Sequence, residues 1–513
     1  MAIAHVGGIT YHAPEGGPGT PITFTYPGVG AGNCLIMSVG MRRNVTDAHG
    51  LPYITDSNGN IWLAPITTPS QVDNVSGETF CDFQLLTFVA PNVAAGDTEF
   101  TIHESEHFGL WMIAVDEYSG ITGTYPIDQV SFASTAYESG LSSIGSGSIT
   151  AASGELVYTA VFAVADPTTL GVTAGFTQRQ LDGFTYDGVY SGTLGTYDQL
   201  SSGGSFSNTA TSSAVPLTLH TNIIGLASAN PTRPLVQLAA YALSSIQGPE
   251  TSVAFPYPNT SGNLLVLAGV LYQRTNAVVT DSQGNTWIVV YNAATGDNTF
   301  LVMAYALSCK AGANTVTLNT LGGGDDDLIQ FCVAEYTFNG SFTASSRGGP
   351  VNPGETVDTG YVAVGTLPSL VISMFTSTAL DPEGATSPPL LSQLETLRYQ
   401  FSDPGFLQET PHTVALADVT PNSIGSYHNV FDSTPITANL EGAILGFTQT
   451  PAPPAPTPMR CYNVPLSGTL NTLEVTRDMD ANWTDKSTFI ITQSAPFPFT
   501  LRGIVLRMEY NQD

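Results

Sequence analysis

His103-Glu104-Ser105-Glu106-His107 spells H-E-x-x-H, the two imidazoles and one carboxylate with which a helix can hold Zn²⁺ and activate a water. That chemistry needs a helix, because only there do residues four apart share one face. Asp56, Asn58 and Asn60 in "DSNGN" alternate like the first ligands of an EF-hand loop. The sixth and twelfth positions hold Ile61 and Thr67 where Gly and Glu are required, and a second occurrence, "DSQGN", has Thr286 and Asn292 there. A hairpin turn whose Asp side chain caps backbone N–H groups is the stronger expectation.

Two further sets of carboxylates recur. Glu117 and Glu335 stand in "DEY" and "AEY" within apolar runs, and Asp166 and Asp381 precede Pro167 and Pro382. Paired carboxylates across a cleft can hydrolyse a glycoside. Recurrence at corresponding places argues for structural work instead: Glu accepting N–H groups from a neighbouring loop, and Asp-Pro starting a turn. The run Asp325-Asp326-Asp327 reads as a solvated loop. There is no Gly-x-Ser-x-Gly elbow, Walker loop, dinucleotide fingerprint or usable Cys–His spacing. The expectation is a chain that is not an enzyme, with no catalytic, cofactor-binding or metal-ligating residue and no cofactor.

The elements that position these residues come from comparing the chain with itself. "ITFTYPGVGAGNCLIMSVGMRR" (22–43) matches "VAFPYPNTSGNLLVLAGVLYQR" (253–274), and "ITDSNGNIW" (54–62) matches "VTDSQGNTW" (279–287). "AAGDTEFTI" (94–102) matches "KAGANTVTL" (310–318), and "GELVYTAVFAVADP" (154–167) matches "PSLVISMFTSTALDP" (368–382). A period of about 200–225 residues is too long for a solenoid and signals a duplicated domain. The copies are placed at 1–247 and 248–450, followed by a Pro-rich linker at 451–459 and a small β segment for oligomerisation or docking at 460–513.

Each copy is a series of short apolar or alternating runs bounded by Gly, Asn, Asp and Pro, the pattern of antiparallel strands in a two-sheet sandwich. The fold class expected is all-β: two tandem antiparallel jelly-roll-like β-sandwich domains plus a small C-terminal β segment. Trp62 and Trp287 would begin the strand returning from each "TDSxGN" hairpin. The repeat also bears on His103. Its counterpart segment, "TLNTLGGGDDDLIQ" (317–330), is a poor helix, so His103 to His107 should lie at a hairpin tip or strand end.

Composition narrows the partners. Of 513 residues, 42 are Asp or Glu and 13 are Lys or Arg, a net charge of −29, which opposes binding to nucleic acid or an anionic membrane surface. Five cysteines without a C-x-x-C pair indicate buried thiols rather than a disulfide framework. The N-terminus has no basic region followed by a long apolar run, and no apolar stretch approaches membrane-spanning length. Synthesis in a cytoplasm without a signal peptide is expected.

The ordered set "TDSxGNxW", "APNVAAGDTEFTI" or "KAGANTVTL", and "xEYxG" resembles β-sandwich repeats of bacteriophage virion proteins and of some bacterial surface proteins. "FTLRGIVLRMEY" near the end is similar to the closing strands of phage tail or fibre proteins. The resemblance implies a structural protein of a tailed-phage virion: a fibre, tail or capsid-decorating component. Its partners would be its own copies, other virion proteins and a host surface glycan, with no nucleic acid and no membrane insertion. The alternatives are a bacterial extracellular carbohydrate-binding or adhesin module and, third, a metal-dependent hydrolase using His103, Glu104 and His107.

Overall fold

The structure, a computed structural model, describes residues 2–13, 20–44, 52–68, 71–73, 81–103, 111–135, 139–165, 169–186, 190–229, 234–244, 250–272, 274–296, 299–321, 328–351, 356–379, 390–391, 396–403, 412–432, 438–449, 472–478 and 486–492. The chain forms two compact units, Met1–Thr450 and Pro451–Asp513. Among the described residues there are strands and no helices.

The first unit begins with β1 (Ala4–Ala13), β2 (Ile22–Val29), β3 (Cys34–Asn44), β4 (Tyr53–Asp56), β5 (Ile66–Thr67), β6 (Gln71–Asp73), β7 (Cys81–Ala90), β8 (Gly96–His103) and β9 (Trp111–Ser119). They pair as a large sheet, β1-β9-β3-β7-β5 with β6 also on β7, over a small one, β2-β8-β4. From β1 to β5 and again from β7 to β9, successive strands step from one sheet to the other, the alternation of a jelly-roll path. We call this sandwich I.

The same path is followed three more times. Sandwich II uses β10 (Ile127–Ser134), β11 (Ser143–Ala151), β12 (Leu156–Val164), β13 (Leu170–Gly171), β14 (Thr177–Tyr186), β15 (Tyr190–Leu200), β16 (Gly204–Ser212) and β17 (Thr218–Leu226). Its sheets run β10-β17-β12-β15-β14 and β11-β16-β13. Sandwich III uses β18 (Leu235–Ser244), β19 (Glu250–Ala254), β20 (Leu264–Tyr272), β21 (Thr275–Asp281), β22 (Ile288–Gly296), β23 (Thr299–Ala306), β24 (Thr315–Leu321) and β25 (Leu328–Tyr336). They run β18-β25-β20-β23-β22 and β19-β24-β21.

Sandwich IV uses β26 (Gly340–Val351), β27 (Thr356–Asp358), β28 (Val362–Val364), β29 (Ser369–Ala379), β30 (Leu390–Leu391), β31 (Thr396–Asp403), β32 (His412–Val419), β33 (Gly425–Tyr427), β34 (Val430–Asp432) and β35 (Ala438–Gln449). Its sheets are β26-β35-β29-β32-β31, β27-β34-β30 and the pair β28-β33.

The protein is therefore all-β and built of tandem jelly-roll-like sandwiches, and each of the two sequence copies carries two of them. A division after residue 247 would separate β18 from its partner β25; the strand pairing instead divides the sheets between Leu226 and Leu235.

Burial explains the two kinds of strand. β2 buries Ile22, Phe24 and Tyr26 while exposing Thr23 and Thr25, the period-two pattern of a sheet with one wet face. β12 and β17 are buried at all nine positions. Their large sheets are covered twice. One face meets the small sheet of its own sandwich, as where Leu35, Met37 and Val39 pack with Phe24 and Phe100. The other joins a single central core holding Ile36 and Ala114 of sandwich I, Tyr158 and Phe162 of II, Val266 and Met303 of III, and Ile372 and Leu445 of IV. A fully buried side chain of this kind contributes about 1.5–3 kcal/mol, so the shared core ties all four sandwiches into one stability unit.

One close approach that requires glycine joins sandwiches I and II: a Cβ on Gly40 of β3 would run into the Phe162 ring of β12. In the second unit, β36 (Thr472–Asp478) and β37 (Lys486–Thr492) form an antiparallel hairpin. The Pro-rich stretch 451–459 lies outside the described residues.

Candidate functional site

His103 is the last residue of β8, on a strand and not a helix. It pairs with Tyr53 across the ladder, and its ring stacks on that phenol with centroids 4.5 Å apart. Its Nε2 lies 2.8 Å from Thr55 Oγ1. The other letters of the motif, Glu104 to His107, lie outside the described residues. A strand end is where the glycine-rich counterpart placed this histidine. Among the described residues, no group of three or more His, Cys, Asp or Glu is arranged to hold a metal.

The "TDSxGNxW" motif is a corner, and here the structure corrects the expected hairpin. The carboxylate of Asp56 accepts the N–H groups of Asn58 (3.0 Å) and Asn60 (3.1 Å) through Oδ1 and the indole N–H of Trp62 (2.9 Å) through Oδ2. Asp281 does the same for Gln283 (3.1 Å), Asn285 (3.0 Å) and Trp287 (2.8 Å). Gly59 and Gly284 take φ of 68° and 66°, the left-handed conformation the turn demands. Trp62 and Trp287 do not start a returning strand. They lead the chain out of the small sheet toward β5 and β22 of the large one. Both carboxylates are engaged by N–H donors of their own turn, which holds the corner closed. In Asp281, those hydrogen bonds outweigh burial and lower the pKa.

Glu117 and Glu335 are buried at 2% and 0% exposure. Glu117 accepts Gly30 N–H (2.8 Å) and Asn33 Nδ2 (2.5 Å) on Oε1, and Tyr26 O–H (3.1 Å) on Oε2. Glu335 accepts Thr260 N–H (2.8 Å) and Asn263 Nδ2 (2.6 Å) on one oxygen. Asn259 Nδ2 (2.7 Å) and Gln237 Nε2 (2.5 Å) donate to the other. Each glutamate thus pins the loop between the second and third strands of its sandwich, as the recurrence suggested.

Three kinds of residue that the sequence reading passed over join paired sandwiches. Tyr118 of β9 donates to Asp198 Oδ2 of β15 (2.7 Å), which also receives Arg179 Nε of β14 (2.8 Å). In the second half, Arg398 of β31 makes two bonds to Asp418 of β32, at 2.9 and 2.8 Å, and a third to the Asp128 carbonyl of sandwich II (2.5 Å). Burial first, then the neighbouring Asp418 carboxylate, pushes the Tyr336 phenol well above its ordinary pKa. The clue was present in the recurrence of Arg in "TQRQ" and "TLRY".

A buried polar cluster joins sandwiches I and II. Asp116, at 0% exposure, accepts His5 Nε2 (3.2 Å) and Gln180 Nε2 (3.3 Å) on Oδ1, and Tyr158 O–H (3.1 Å) and Thr196 O–H (2.7 Å) on Oδ2. Tyr158 is in turn 3.0 Å from Ser38 Oγ. Nearby, His220 is wholly buried between Thr68 (2.9 Å) and Thr218 (3.1 Å), and burial lowers its pKa to about 3, so it is neutral. These bonds tie Asp116 of β9 to β12, β14 and β15, and Thr68 to His220 of β17, linking sandwiches I and II.

Cys34, Cys309 and Cys332 are buried free thiols, and burial pushes Cys332 up to about 12. Asp166, Asp381, Asp325 to Asp327 and Cys461 lie outside the described residues. On the outer face of the small sheet of sandwich I, Tyr53 is 58% exposed.

No protein-family model matches the chain, and no curated protein or solved structure matches it significantly.

Proposed function

We propose that the chain is a structural protein of a tailed-bacteriophage virion, a fibre, tail or capsid-decorating component, that acts by assembling and by contacting a host surface. The observation that carries this reading is the fourfold recurrence of one jelly-roll path around a single core, with buried acids holding sheets to one another. A net charge of −29 supports solubility at high copy number and disfavours nucleic acid as a partner. In this reading the protein is made in the host cytoplasm and resides in the particle, beside its own copies and other virion proteins. The C-terminal segment from 460 builds the oligomer. The test is co-sedimentation with purified particles, followed by the mass of the assembly with and without 451–513. Absence from particles overturns the proposal, and an unchanged mass overturns the role of the tail.

A second reading, a bacterial extracellular carbohydrate-binding or adhesin module, is favoured by two exposed tyrosines. Tyr53 and Tyr361, 58% and 60% exposed, each stack on a histidine, His103 and His428, at 4.5 and 4.3 Å. Presence of the protein on the surface of uninfected cells would select this reading over the first.

A further inference from the structure

We infer that the outer face of the small sheet of sandwich I is a docking face for a neutral glycan; this rests on the host-surface contact in the proposed function and names its chemistry. Three features converge there. Tyr53 offers an aromatic face to solvent while its ring is held against His103, and His103 is fixed by the Thr55 hydroxyl. A ring already immobilised loses little freedom on binding. Its electron-rich face attracts the polarised C–H bonds along one side of a hexose.

Beside the ring runs a row of hydroxyls. Thr23 and Thr55 both stand opposite Thr101, so three hydroxyls cross β2, β8 and β4 at the strand spacing of about 4.8 Å. Each can donate and accept, as sugar hydroxyls require. Glu99, exposed one row further along β8, adds an acceptor. A ring beside a row of hydroxyls on one sheet face suits an extended sugar chain better than a peptide side chain. Charge narrows the class: on a chain of net −29, with a carboxylate in the face itself, uronate-bearing or sialylated glycans meet repulsion.

Sandwich III is an internal control. Its row is kept, Ser252 and Thr280 opposite Thr317, but Val278 and Asn319 stand where sandwich I has Tyr53 and His103. Val278 is 54% exposed and offers no ring.

The experiment is native electrophoresis of the full chain through gels containing dextran, mannan, galactomannan or xyloglucan, with alginate as the anionic comparison. At least one neutral polysaccharide should retard the protein and alginate should not. Tyr53→Ala should weaken the retardation about tenfold, Tyr53→Phe should keep it, and Val278→Ala should leave it unchanged. Retardation by alginate alone, retardation that Tyr53→Ala leaves intact, or no retardation in any gel would overturn the inference. A particle-bound protein that no gel retards removes this face and leaves the virion reading standing; a retarded protein absent from particles does the reverse.

Discussion

Six positions between paired sandwiches are polar in the first half of the chain and almost wholly apolar in the second. His5, Ser38, Asp116, Tyr158, Gln180 and Thr196 meet between sandwiches I and II. The corresponding ladder positions between III and IV hold Leu235, Ala268, Ala334, Ile372, Tyr399 and Leu416. The fold is the same in both halves, so the polar cluster is not what makes a jelly roll. Its effect is on pairing. A carboxylate buried without donors costs several kcal/mol, and sandwich II supplies three, from Tyr158, Gln180 and Thr196, where sandwich IV has Ile372, Tyr399 and Leu416, of which only the Tyr399 phenol can donate. Asp116 thereby penalises the packing of I against IV.

The comparison breaks most sharply at Asp116. Asp116→Ala strands the donors of Tyr158, Thr196 and Gln180 and should cost about 3–5 kcal/mol in guanidinium unfolding. Ala334→Asp, which puts a carboxylate where Tyr399 is the one donor among the three facing counterparts, should cost about as much. Replacing all six polar residues by their second-half counterparts should be neutral or stabilising by about 1–4 kcal/mol. A large loss in that sextuple variant would mean the cluster is needed for more than pairing.

A second contrast lies in volume. Gly40 and Phe162 face each other between I and II, whereas Val270 and Thr376 hold those positions between III and IV. Gly40→Val should cost about 1–3 kcal/mol by overpacking, and Phe162→Thr added to it should recover most of the loss. Thermal unfolding of the single and double variants measures the coupling.

The third contrast is the pH response. His220 stands where the second half has Glu441, which is paired with Arg347. Burial holds the folded imidazole neutral down to about pH 3, while the unfolded chain takes a proton below about 6.5. Above 6.5 the residue contributes no pH dependence. Below it, stability falls as pH falls, by about 1.4 kcal/mol at pH 5.5, and continues to fall until the folded form also protonates. His220→Gln should remove that slope in unfolding measured from pH 7 to 5.5.

These pairings show what the sequence could and could not disclose. The two long copies were legible because Asp56 and Asp281 need N–H donors at fixed offsets, Gly59 and Gly284 need positive φ, and Glu117 and Glu335 need a specific loop. Those demands tie structure to letters. The kinship of I with II was hidden because strand order is satisfied by many apolar alternations, and no shared cap or turn marks it. Asn-Gly chemistry revealed the bend before Trp62 but not that the chain crosses to the other sheet. Tyr118 meets Asp198 across 80 positions, a distance no local pattern spans. Tyr53 carried no signal, because its exposure follows from which face of β4 it occupies.

Backbone hydrogen exchange across the whole chain tests most directly the claim that four sandwiches close on one core. The account predicts that β3, β9, β12, β17, β20, β25, β29 and β35, the middle strands of the four large sheets, exchange last and together, through one global opening. Loss of protection in β20, β25, β29 and β35 while β3, β9, β12 and β17 stay protected, or the reverse, would contradict it and make the halves independent.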